Sequence, residues 1–137
     1  MPGRVFLDAN VLVYAQDAGS PKKQRKSREI ITKLAESADG VISTQVMQEF
    51  FVAATRKLGV SPLAAKGVLK TFDVFDIVQV SPALIHEGVD CSILNQLSFW
   101  DSLIFAAAAS AGCTTVLSED LNTGQAILGV KVQNPFA

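Results

Sequence analysis

Short runs rich in β-branched residues alternate with longer stretches of helical periodicity along the whole chain, and this alternation is what most restricts its fold. Arg4 to Asp8 (RVFLD) reads as a buried strand ending in a charge, and Gly40 to Ser43 (GVIS) as a second. Asp76 to Val80 (DIVQV) and Thr114 to Ser118 (TTVLS) supply a third and a fourth, with a short last strand at Val130 to Val132. Between them, Asn10 is placed to cap a short helix, VLVYAQ. Ser20-Pro21 opens a helix reaching about Ser37, because serine at the N-cap followed by proline is a start signal. Val46, Met47, Phe50, Phe51 and Ala54 share one face of a helix over Thr44 to Leu58 that Gly59 stops. Further Ser-Pro starts stand at Ser61 and Ser81, and an alanine-rich helix from about Trp100 to Ala111 ends at Gly112.

Strands separated by helices imply right-handed crossovers. The expected fold is therefore α/β, a mostly parallel central sheet of four to five strands with helices on both faces. No internal repeat or linker divides the 137 residues, which suit one domain with one core. In such sheets ligands bind beyond the carboxyl ends of the strands. An apolar share of 49% with 18% charged residues excludes a disordered chain, and no apolar run approaches the ~18 residues of a membrane span. The N-terminus enters a strand without the long apolar stretch of a signal peptide, so a cytoplasmic location is expected. Cys91 and Cys113 with one histidine make a poor zinc set and read as buried thiols.

Four acids fall near that strand edge. Asp8 ends the first strand, and Asp120 follows the fourth in the loop SEDLNTG. Glu49 lies early in the helix after the second strand, and Asp101 opens the alanine-rich helix. Singly, each has an ordinary explanation: a turn or cap at Asp8, a solvated position at Glu49, a helix-dipole partner at Asp101 and a turn residue at Asp120. Together they would repel, a pair at about 5 Å by roughly 3 kcal/mol at an effective dielectric of 20. A hard divalent cation offsets that cost, and oxygen-only ligands select Mg²⁺ or Mn²⁺ over zinc. Such a site suits phosphodiester hydrolysis, in which the cation lowers the pKa of a water and steadies the leaving oxygen. Asn10, Ser43 and Asn122 are near enough to orient waters around it, although capping and turn formation explain each equally well.

The segments FLDANVLVY, ISTQVMQEF, SFWDSLIFAAA, VLSEDLNTGQ and the closing VKVQNPF span nearly the whole chain in order. With them the sequence resembles a PIN domain, specifically the VapC-type ribonuclease toxins. The resemblance implies a PIN-like three-layer fold and a Mg²⁺- or Mn²⁺-dependent endoribonuclease with Asp8, Glu49, Asp101 and Asp120 as metal ligands. It also implies a homodimer and inhibition by a cognate antitoxin. Glu119 adjoins Asp120 and either reaches the fourth position; the resemblance favours Asp120. Asn122 stands where many relatives carry a further acid, which leaves one or two ions open.

Pro21 to Arg28 holds Lys22, Lys23, Arg25, Lys26 and Arg28 without an acid, a candidate RNA backbone contact or simply a solvated helix turn. Arg56, Lys57, Lys66 and Lys70 can extend it. Phe50, Phe51, Phe72, Phe75 and Phe99 read as core, with a dimer face or antitoxin groove as the alternative. Trp100 is the aromatic placed to touch ligand, with anchoring of its helix as the alternative, and His86 reads as a surface or boundary residue. Two other classes compete with hydrolysis. One is a PIN-like module that grips RNA or protein without cutting. The other is a phosphotransfer domain using Asp8 as nucleophile, against which position 10 is asparagine rather than a second aspartate.

Overall fold

The computed structural model describes residues 3–137. Its strands are β1 (Arg4–Leu7), β2 (Gly40–Ser43), β3 (Asp76–Val78), β4 (Cys113–Leu117), β5 (Ala126–Ile127) and β6 (Val130–Gln133). Its helices are α1 (Ala9–Tyr14), α2 (Pro21–Ser37), α3 (Thr44–Lys57), α4 (Pro62–Thr71), α5 (Pro82–Asn95) and α6 (Phe99–Ser110), with a 3-10 turn over Phe72–Val74. The strands form one sheet in the order β3-β2-β1-β4-β6-β5. Every pairing is parallel except β5 with β6. From β1 the chain steps outward to β2 and β3, then crosses back through α5 and α6 to β4 on the other side of β1. Right-handed crossovers in opposite directions put helices on both faces and leave a crevice where the direction reverses, between β1 and β4.

The sheet has six strands where four to five were expected. The addition is β5, two residues long and too short for any periodicity to reveal. Ile127 pairs with Val130 across a two-residue turn in which Leu128 and Gly129 both have positive φ, 53° and 78°. That is the turn geometry that matches the twist of a tight hairpin. The third strand stops at Val78, short of the expected Val80, because the Val80 amide leaves the ladder and donates to Thr44 Oγ1 at 3.1 Å. The short first helix begins at Ala9 with Asp8, not Asn10, as its cap; the Asp8 carboxylate accepts from the Ala9 amide at 2.8 Å.

Serine hydroxyls start most of the other helices. Ser43, Ser61, Ser81 and Ser98 accept from the amides of Val46, Ala64, Leu84 and Asp101, each cap contributing about 1 kcal/mol. The core lies against the sheet. Phe6, Leu7, Val41, Ile42, Val116 and Val132 are fully buried, and Phe50 meets Phe72 edge-on at 5.0 Å between ring centroids. Phe50, Phe72 and Phe75 fill core, while Phe51 and Phe99 are half-buried. Gly40 is required by packing, since a Cβ there would lie 2.6 Å from the Phe75 ring. Helix α6 is buried continuously from Ser102 to Ala108, its alanines allowing close approach to its neighbours. Cys91 and Cys113 are free and buried, and His86 is exposed on α5. Among the described residues no helix is long and apolar enough to cross a membrane.

Candidate active site

The crevice between β1 and β4 holds the chemistry. Asp8 leaves the end of β1, and its amide still bonds to the Leu117 carbonyl of β4 at 3.0 Å. Ser118 follows β4 directly. Its buried hydroxyl donates to Asp8 Oδ2 at 2.8 Å and accepts from the amides of Asp120 and Leu121 at 3.1 and 3.3 Å. Asn10 closes the arrangement from the first turn of α1. Its Nδ2 reaches Asp8 Oδ2 at 3.3 Å, Ser118 Oγ at 3.1 Å and Asp120 Oδ2 at 3.2 Å, while its Oδ1 accepts from the Glu119 amide at 3.1 Å. One amide group thus holds Asp8 and Asp120 at a common distance.

Beyond these strand ends opens a cleft of about 810 Å³. One wall is a face of α1, with Asn10, Val13 and Tyr14 at helical spacing. Facing it, α3 contributes Gln45, Gln48, Glu49, Val52, Ala53 and Arg56, again one helical stripe. Trp100 and Asp101 enter from the start of α6. All four sequence-expected acids, Asp8, Glu49, Asp101 and Asp120, line this one cleft.

Their charges act on one another. Burial pushes the Asp8 carboxyl above its ordinary value; bonds from Ser118 and Ala9 oppose the rise, and the charges of Asp120 and Asp101 add to it. Glu49 is also raised, by desolvation in the cleft wall and then by the charge of Asp8, with Asp101 and Asp120 contributing further. The Gln45 side chain opposes that rise. Among the described residues, the charges that act on these two groups are those of other acids. The carboxylate ligands are all oxygen and their charges repel, so the residues fit a hard divalent cation completed by water. Among the described residues no three such side chains are gathered into a finished cage.

The PIN-domain family model matches residues 5–126. The chain belongs to the PIN-domain family. No curated protein sequence matches it. Among solved structures it is similar to a toxin–antitoxin complex from Klebsiella pneumoniae, at 17% identity and TM-score 0.70, covering 96% of this chain and 97% of that one. VapBC2 from Rickettsia felis, bound to a DNA fragment from its promoter, is similar at 18% identity and TM-score 0.69, with 95% and 97% covered. VapC20 from Mycobacterium tuberculosis, a toxin that cleaves the sarcin-ricin loop, is similar at 17% identity and TM-score 0.67, with 85% and 89% covered. At these identities the likeness is one of fold.

In this PIN domain the remaining expected residues are distributed differently. Glu119 lines the cleft, but both its oxygens are engaged, Oε1 by the Tyr14 hydroxyl and Oε2 by Lys23, each at 2.6 Å. Those bonds hold its carboxyl below the ordinary range. Lys23 also lies over the Tyr14 ring at 4.7 Å. Arg28 donates to the Ala15 carbonyl at 2.8 Å, so two of the five cations between Pro21 and Arg28 have internal partners while Lys22, Arg25 and Lys26 face solvent. The cations in the cleft wall are Arg56 and Lys57. Ser43 is fully buried as the α3 cap, and Asn122 is exposed in the turn after β4, its carbonyl accepting from Gln125. Ser118 and Tyr14 carry weight that reading the sequence did not assign them. A serine ending a strand before two acids is a detectable signal for the first, since a hydroxyl there can bind the amides that follow it.

Proposed function

We propose that this PIN domain is a Mg²⁺- or Mn²⁺-dependent endoribonuclease of the toxin type. The observation that carries it is the convergence of Asp8, Glu49, Asp101 and Asp120 on one cleft at the sheet's switch point, where their like charges act on Asp8 and Glu49. Bound there, a divalent cation would supply the charge that favours attack by water and departure of the leaving oxygen. The chain's own part is positional. Ser118 and the Ala9 amide fix the Asp8 carboxylate, and Asn10 sets its spacing from Asp120. Arg56 and Lys57, on the α3 stripe beyond Glu49, are placed to neutralise neighbouring phosphates without reading sequence.

The similar toxin–antitoxin and VapBC structures support inhibition by a cognate antitoxin, and we assign this chain the same kind of partner. A homodimer and a cytoplasmic location belong to the same reading. The test is incubation of the purified protein with RNA and Mn²⁺, beside Asp8→Asn, with the new ends mapped. Cleavage leaving 5′-phosphate and 3′-hydroxyl ends, abolished by chelation and by Asp8→Asn, is the expected result. Ends carrying a 2′,3′-cyclic phosphate, or equal cleavage by the variant, would defeat the mechanism.

A further inference from the structure

Trp100 is 63% exposed, although a side chain with so much apolar surface is ordinarily withdrawn from water. It precedes Asp101, lines the acidic cleft, and also borders an adjoining recess of about 270 Å³ whose other walls are Gln45, Gln48 and Glu49. The ring is held in place. Phe99 meets it edge-on at 5.1 Å between centroids, and the Trp100 carbonyl accepts from Gln45 Nε2 at 3.2 Å. Gln45 is only 4% exposed, and its Oε1 has no hydrogen-bond partner. That oxygen is out of reach of solvent, so what the recess offers a partner is the Trp100 face with the Gln48 and Glu49 side chains around it.

The surroundings discriminate between kinds of occupant. A protein partner ordinarily covers a contiguous apolar patch. Exposed apolar residues do recur on α5, where Ile85, Val89 and Ile93 stand four residues apart, but Trp100 is bordered by two amides and a carboxylate. An unpaired nucleobase matches that composition, with a π-face to stack and polar edges to bond. We propose that Trp100 is the stacking platform for an unpaired base beside the cleft of the four acids, with the Gln48 amide at that base's edge. The proposal rests on the ribonuclease reading and adds to it the residue that grips a base beside the acids. RNA must present a single-stranded or extruded base, because in a duplex the base faces are covered by their neighbours.

Trp100 is the only tryptophan of the chain, so its emission reports directly on the site. Short single-stranded oligoadenylate and oligouridylate, titrated in Ca²⁺ as a hard oxygen-seeking cation, are expected to quench it saturably, and duplex RNA to leave it unchanged. Anisotropy of the labelled oligonucleotides is expected to show Trp100→Phe close to the parent and Trp100→Ala weaker by roughly tenfold or more, since the stack needs only an aromatic face. Binding of single strands with unmoved emission, equal binding by Trp100→Ala, or no binding at all would overturn the proposal. So would quenching that depends on protein concentration alone, which would place the ring between protein surfaces. RNA that binds and quenches yet is never cut in Mn²⁺ would leave the platform standing and remove the ribonuclease reading. RNA that is cut while the emission stays unmoved would remove only the platform.

Discussion

Lys23 Nζ lies 2.6 Å from Glu119 Oε2, joining the first turn of α2 to the turn that carries Asp120. Tyr14 takes the other carboxylate oxygen, so Glu119 acts as a tether and its neighbour Asp120 remains for the cleft. Glu119→Gln is therefore expected to keep most of the cleavage rate, and Asp120→Asn to lose at least about a hundredfold, the scale of loss when a group that stabilises the transition state is removed. The tether also has a pH signature. A carboxylate held below its ordinary value contributes stability that is fully present above 4.5 and is lost as pH falls through the depressed value. The gap in melting temperature between the parent and Lys23→Met should stay constant above pH 4.5 and close below it.

Ser118 makes four hydrogen bonds through one buried hydroxyl, to Asp8, Asn10, Asp120 and Leu121. Ser118→Ala strands those partners, and about 1–3 kcal/mol of stability should go with them. Urea unfolding should show the midpoint lowered with the slope unchanged. Cleavage should fall as well, because Asp8 and the Asp120 turn lose their common anchor.

Raised carboxyls work in the opposite sense to Glu119. Asp8 and Glu49 favour the neutral form in the folded state, so the metal-free protein should lose stability as pH rises above their ordinary values of 3.8 and 4.5. Asp101→Asn removes one source of the repulsion and should melt higher than the parent in EDTA at neutral pH. Mn²⁺ should reverse that order. At a hundredfold excess over its dissociation constant, a ligand adds about 2.7 kcal/mol to the parent, and the variant should gain far less. Thermal melts of both proteins across pH, with and without Mn²⁺, check all three statements.

Burial raises the Cys113 thiol to about 11. At pH 8 only about one molecule in a thousand would carry the reactive thiolate. Native protein should resist iodoacetamide at Cys113, and the same residue should label promptly in urea. Mass spectrometry of the two samples resolves the site.

How much of this could be read from sequence depends on the residue. Asp8, Glu49, Asp101 and Asp120 were legible as neighbours because each sits at a strand end or a helix start, and parallel sheets send those to one edge. The capping role at α1 was not, because Asp8 and Asn10 are both good caps two residues apart and only the backbone bend decides between them. Strand β5 escaped because two residues carry no period. The basic stretch of α2 showed its charge but not its partners. Successive helical residues turn about 100°, so Lys23 meets Glu119 while Lys22 faces water. Ser118 was hidden for a different reason: its importance lies in contacts with residues such as Asp8, 110 positions away.

That separation has a consequence for when the protein can act. A site that needs both Asp8 and the Ser118 turn does not exist on a chain still growing from the ribosome. The first strand and its aspartate emerge early, but Ser118, at the end of the partner strand β4, follows 110 positions later. Loop closure over such a distance must also precede any reward from the contacts it brings together. A chain halted before β4 thus lacks the assembled cleft, and whatever chemistry the four acids support must wait for the later strand.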